Sequence, residues 1–118
     1  MRKVMYIAIN QDLEMSKGKI GSMCAHAAFD YLLEMYDKLD DDYGTFCDFV
    51  DDFKYHGDTI IILKAHEKDL LKWESKGYVT VRDRGLTEIE PNSITAVNLG
   101  IYDKDENIPK WIQRLRLL

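Results

Sequence analysis

An α/β layered domain is predicted by three features of the chain. There are short β-branched or aromatic runs, apolar residues at helical spacing between them, and alternation of the two along the sequence. Lys3 to Ile9 is apolar without polar alternation, which predicts a first strand in the middle of a sheet. Asn10 to Gly18 reads as a polar loop. From Lys19, the residues Ile20, Met23, Cys24, Ala27, Ala28, Tyr31 and Leu32 recur at i, i+3, i+4, i+7, predicting an amphipathic helix to about Tyr36. Its small residues, Gly21, Ser22, Ala25, Ala27 and Ala28, would let it lie close to a sheet. After an acidic connection, Phe46, Phe49, Val50 and Phe53 predict a second, shorter helix. Thr59 to Lys64 is a buried strand, and Glu67 to Lys76 is a helix stopped by Gly77. Tyr78 to Arg82 is a third strand, and the stretch from Asp83 to Ser93 is rich in turn residues. Ile94 to Leu99 is a fourth strand closed by Gly100, and Pro109 suits the first turn of a last helix reaching about Leu115.

With 118 residues, 46% of them hydrophobic, the chain can bury one core and has no room for two domains. Two prolines and seven glycines argue against disorder. The apolar run at the N-terminus is too short for a signal peptide, and no stretch approaches the roughly 20 apolar residues of a membrane-spanning helix. A soluble, cytoplasmic protein without a membrane partner is expected. Cys24 and Cys47 are isolated thiols that fit a reducing compartment and read as small buried filler. His26, His56 and His66 lack metal-ligand spacing, so neither a metal nor another cofactor is expected.

Charge is unevenly distributed. Residues 30–52 hold nine acids against Lys38, a local balance of −8, whereas the rest of the chain carries +3. A polyanion would be repelled by that segment and would approach another face; the plainer reading is a solvated helical surface.

Two segments are unusual for structure alone. Lys17-Gly18-Lys19 puts positive charge at the start of a helix, where unpaired amides already make the end positive. Such an end suits an anion, although the P-loop spacing is missing and a solvated basic loop has the same composition. Lys19, Met23 and His26 share one helix face at about 100° per residue. The His26 imidazole there would orient or relay a proton, or be a core histidine bonded to backbone, the plainer alternative. The second segment is Arg82-Asp83-Arg84-Gly85-Leu86-Thr87 with Pro91-Asn92-Ser93-Ile94-Thr95. Asp83 falls at a strand end, where open α/β sheets place ligands. The flanking arginines would keep it ionised, and Thr87 and Thr95 offer hydroxyls to a water or a carbonyl. An Asx turn with salt bridges is the alternative.

Together these segments resemble the archaeal and eukaryotic type of peptidyl-tRNA hydrolase. That family carries K-G-K, small residues and Q-C-x-H-A on its first helix, where this chain has Lys17-Gly18-Lys19-Ile20-Gly21-Ser22-Met23-Cys24-Ala25-His26-Ala27. Its second signature is D-A-G-x-T-Q, then P-G-[ST]-x-T and a strand ending in Gly. The counterparts here are Asp83-Arg84-Gly85-Leu86-Thr87-Glu88, Pro91-Asn92-Ser93-Ile94-Thr95 and Gly100. The first strand, Asp12-Leu13 and the closing Arg114 to Leu118 are similar too, so the likeness covers nearly the whole chain.

The resemblance implies a mixed four-stranded sheet with helices on both faces. It also implies hydrolysis of the ester joining a peptide to the 3′ ribose of tRNA. The family's important positions fall on Lys19, Asp83, Thr87 and Thr95. His26, Lys17, Arg84 and Met23 would support them or bind substrate, and the family allows a homodimer. Met23 stands where the family has glutamine, Arg84 where it has alanine, Glu88 where it has glutamine and Asn92 where it has glycine. With the acidic segment, these departures leave a second reading, a family member that only binds RNA or protein.

Overall fold

The computed structural model of the chain describes residues 2–39, 43–85, 89–104, 106 and 108–118. Strand β1 is Lys3–Asn10, followed by helices α1, Lys17–Lys38, and α2, Tyr43–Tyr55. Strand β2, Thr59–Ala65, leads to helix α3, Glu67–Ser75, and strand β3, Val79–Arg82. Strand β4 is Ile94–Asp103, helix α4 is Lys110–Gln113, and strand β5 is Arg116–Leu117.

The sheet is mixed, but it has five strands where four are expected, in the order β3-β4-β1-β2-β5. β1 is central, as its unbroken apolar run predicts, and pairs parallel to β2 and antiparallel to β4. β3 is antiparallel to β4, and therefore parallel to β1. The carboxyl ends of β1, β2 and β3 thus lie along one edge of the sheet, the edge at which α1 begins. The additional strand, β5, is two residues long and pairs Leu117 with Leu63 and Arg116 with Lys64. So short a piece carries no periodicity; the open edge of β2 creates it. β4 also runs past Gly100 to Asp103, because a register shift opposite Tyr6 and Ile7 lets the strand continue beyond the glycine.

Alternation along β1 divides the core in two. Val4, Tyr6 and Ala8 pack with Leu70 and Trp73 of α3 and Ile112 of α4. Met5, Ile7 and Ile9 pack with Met23 and Ala27 of α1, and Phe53 of α2 joins them. A second register shift sets Val81 opposite Ala96 and Arg82 opposite Ile94, leaving Thr95 as an extra residue. Bulges of this kind re-aim side chains. Here Thr95 turns toward α1, the same side as its neighbour Ala96. Among the described residues, no helix is long and apolar enough to cross a membrane.

Candidate active site

The site forms where the start of α1 meets the end of β3. The helix begins at Lys17, two residues earlier than its periodicity predicts, because Ser16 caps it and accepts the Lys19 backbone N–H at 3.2 Å. One turn in, Lys19 is almost fully buried. Asp83 directly follows β3 and is held by its own backbone. Its N–H donates to the Ser93 carbonyl at 2.9 Å, and its carbonyl accepts the Asn92 N–H at 2.6 Å. This arrangement needs left-handed backbone at Asn92 (φ 66) and Gly85 (φ 77). Asparagine tolerates that region, so the turn survives where the family has glycine. At Gly85 a Cβ would run into the Pro91 ring. The Gly85 N–H donates to Asp83 Oδ2 at 2.7 Å, the Asx turn that the sequence offered as an alternative.

The other Asp83 oxygen, Oδ1, accepts from Lys19 Nζ, joining the two segments across 64 positions of sequence. The two side chains are 7% and 4% exposed. The Lys19 ammonium hydrogen-bonded to Asp83 holds that carboxyl below the usual carboxylate range; partial desolvation opposes this, and the Gly85 N–H adds to it. Asp83 is therefore an anion at neutral pH. Its partner is Lys19 and not the flanking arginines expected to keep it ionised. Arg82 turns to the opposite side of the sheet, where it grips Glu74 at 2.7 and 3.0 Å, and Arg84 is exposed. The positive charge on Lys19 thus meets the protein's own carboxylate.

Removing both ions from water is costly, and their attraction often does no more than offset that cost. Stability alone gives a poor account of the pair, and buried charges at a cleft are candidates for chemistry. The cleft is present. A cavity of about 480 Å³ opens beside the pair, lined by Lys19, Met23, His26 and Asp30 of α1 and by residues 80–84. Arranged this way, an ammonium can stabilise developing negative charge while an adjacent carboxylate orients water.

Comparison with known proteins gives the family. A family described as "Peptidyl-tRNA hydrolase PTH2" matches residues 3–118. The chain belongs to the peptidyl-tRNA hydrolase PTH2 family. It is similar to the peptidyl-tRNA hydrolase of Thermoplasma acidophilum, at 34% identity over 100% of both chains. Those of Methanococcus maripaludis and Methanocaldococcus jannaschii are 34% and 33% identical. They cover 95% and 97% of this chain and 96% and 98% of their own.

In this member of the PTH2 family, Lys19 and Asp83 meet, with Met23, His26 and Arg84 around the same cavity. Thr87 lies outside the described residues, as does Glu88. Thr95 is fully buried beneath Met23; its hydroxyl lies 3.0 Å from the Met23 sulfur and 3.1 Å from the Val81 carbonyl. It faces those two atoms, not the cavity. His26 is exposed, which corrects the reading of a core histidine bonded to backbone. Ala27 takes the fully buried position, and His26 falls on the flank that borders the cavity. Lys17 is exposed at the first helical position.

On β3, Thr80 and Val81 line the cavity without having been expected there, and on α1 two more residues escaped the sequence reading. Ser22 and Asp30 also line the wall, and Asp30, four residues after His26, continues the same stripe. Cys24 is partly buried, and burial pushes its thiol up, the reverse of what a nucleophile requires. Among the described residues, no three His, Cys, Asp or Glu side chains gather as a metal site would require.

Proposed function

We propose that the chain acts as a single peptidyl-tRNA hydrolase domain, cleaving the ester between a peptide and the 3′ ribose of tRNA with the Lys19–Asp83 pair. Family membership across residues 3–118 carries the reaction class. The observation that carries the site is the meeting of two distant motif segments at one buried ion pair beside a cavity.

The reaction adds water to the ester carbonyl carbon and breaks the bond from that carbon to the 3′ oxygen. The proton lost by water ends on the 3′ oxygen, and the products are a peptide carboxylate and a free tRNA 3′ hydroxyl. Asp83, held ionised by Lys19 and the Gly85 N–H, is a weak base. Its contribution is to accept a hydrogen bond from the attacking water and fix its direction, which lowers the entropic part of the barrier. The Lys19 ammonium lies in a low-dielectric setting and stabilises the oxyanion as it forms. Thr87, by family resemblance, would position water or substrate. Thr95 acts at one remove by fixing Met23 on the cavity wall. Exposed Lys17 and Arg84 would meet phosphates of the acceptor end, and His26 would support them from the cavity wall. The working place is the cytoplasm, and light scattering reads whether the enzyme is a monomer or a homodimer.

The test is single-turnover release of N-acetyl-amino acid from N-acetyl-aminoacyl-tRNA, with chelator present. Release well above the buffer rate is expected. No release from a folded protein would leave the binding-only family member as the account.

A further inference from the structure

The closing segment of the chain, Arg114 to Leu118, carries two arginines that the catalytic cavity does not use. Leu115 packs against the α3-side core and anchors the segment, which asks nothing of the residues beside it. β5 then pairs with β2 in a register that sets Arg116 directly opposite Lys64. Residues opposite each other on antiparallel strands project from the same face with their side chains close together, and like charges in that place repel. Neither cation is relieved by the protein. Lys64 is half-buried and Arg116 is exposed. No ion pair joins either of them, or Arg114, to a carboxylate among the described residues.

The three cations border one cavity, of about 180 Å³, at the carboxyl end of β2. Among the described residues that line it, Asp69 is the one acid, and it stands in the first turn of α3, where the helix N-terminus favours it. Asp12, nearby, is engaged: its two oxygens meet His66 Nδ1 at 2.9 Å and the Glu67 N–H at 2.8 Å. A half-buried lysine opposite an arginine, with no carboxylate between them, is a poor arrangement for stability. It is a good one for a phosphate, which both cations can hold at once.

The place of these cations in the fold says which anion reaches them. In the register of β1 with β2, Lys64 lies beside Ile9 and two residues beyond Ile62, both of which face α1. Lys64 and Arg116 therefore stand on the same face of the sheet as Lys19 and Asp83, and at the same edge, where β1, β2 and β3 end. Strand order separates β3 from β2 by three steps and from β5 by four, about 14–19 Å at roughly 4.8 Å per step. The acidic segment lies elsewhere, since Asp52 pairs with Lys3 at the opposite, amino-terminal end of β1. On these grounds we propose that Lys64 and Arg116, with Arg114, form a phosphate subsite for the tRNA. It holds the backbone a few nucleotides from the ester that Lys19 and Asp83 cleave. This rests on the hydrolase reading above and deepens it. The peptide carries no phosphate, so the subsite adds affinity for the nucleic-acid part alone, and it grips by charge without reading sequence.

The experiment measures the Kd of deacylated tRNA by fluorescence anisotropy across a salt series, together with KM and kcat on N-acetyl-aminoacyl-tRNA. Lys64→Gln combined with Arg116→Gln is expected to weaken tRNA binding about tenfold, and to raise KM more than it lowers kcat. The slope of log Kd against log salt is expected to fall by about 0.7 for each cation removed, the value for a single strand. Lys64→Arg keeps the charge and is expected to keep the affinity. The doubly substituted protein should melt no lower than wild type, because it loses a like-charge pair. A lower Tm with unchanged binding would assign the cations to the fold and overturn the subsite. Lys72→Gln combined with Lys110→Gln removes as much charge from exposed positions on α3 and α4, and is expected to leave Kd within about twofold. An equal loss in that control, or a wild-type Kd and slope in the first variant, overturns the subsite while leaving the hydrolase reading intact. No hydrolysis by the wild-type protein overturns the reading on which the proposal rests.

Discussion

Arg82 and Asp83 are consecutive residues, and each forms an ion pair, on opposite sides of the sheet. Arg82 reaches α3 and holds Glu74 with two hydrogen bonds, both side chains about a third exposed. Asp83 reaches α1 and holds Lys19 with almost no exposure. The first geometry is better for clamping, since the guanidinium fork and the carboxylate match. The second is worse for stability and better for chemistry, since two desolvated charges border a cavity. The same division runs through the core. The α3 side is filled by aromatic packing, with Trp73 stacked on Trp111 at 5.4 Å. The α1 side admits Lys19, Asp83, Thr95 and Asn98, each bonded to a partner. The α3 side has a buried polar residue too, Asn10, which bonds Glu67 and the Ile94 carbonyl, but the buried ion pair lies on the α1 side alone.

Substitutions on the two sides should therefore separate stability from activity. The largest stability effect is expected on the α3 side. Trp73→Ala removes a buried stacked ring and should cost about 3–5 kcal/mol in chemical denaturation. Its kcat/KM, measured where the variant remains folded, should stay within about twofold of wild type. On the α1 side, Thr95→Val keeps the shape and deletes the hydroxyl that bonds Val81 and Met23. About 1 kcal/mol of stability should be lost, with kcat falling more than KM changes, since Met23 lines the cavity. Arg82→Leu breaks a pair about a third exposed and should cost less than about 1 kcal/mol, a loss that added salt diminishes.

The smallest effect is one of pH. The folded-state pKa of Asp83 lies below its ordinary value of 3.8, with Lys19 as the main cause. The stability it contributes is complete above that ordinary value and is lost as pH falls through the lower, folded one. The difference in Tm between wild type and Asp83→Asn should thus be flat from about pH 5 to 8 and shrink in stronger acid. A slope near neutrality would mean that Asp83 is not held ionised.

Much of the fold was legible because hydrophobic period reports the burial of each element. β1, α1 and α3 lie within about two residues of the bounds their spacing predicts, whereas β2, expected to be buried, is half-buried with Ile60 exposed because its outer side meets only the two-residue β5. β5 was not legible, because tertiary pairing alone makes Arg116 and Leu117 a strand. Nor was the run of β4 past Gly100, since a bulge is a property of two strands and a glycine in one strand does not reveal it. Of the site, Lys19 and Asp83 stood out by charge and by place in the chain, and the family's motifs then gave their role, but their contact spans 64 positions and leaves no local trace. Helical arithmetic put His26 on the right stripe and still misplaced it as a core residue. A face defined by about 100° steps has an edge, and His26 lies on that edge next to buried Ala27.

The central claim is that Lys19 and Asp83 work as one unit, and a double-mutant cycle tests it most directly. kcat/KM on N-acetyl-aminoacyl-tRNA would be measured for Lys19→Ala, Asp83→Asn and the double variant, each checked for folding by circular dichroism. Each single change is expected to lose about 100-fold or more. The double variant should lose little beyond either, as groups acting together do. Single variants within about threefold of wild type, or losses that simply multiply, would contradict the account.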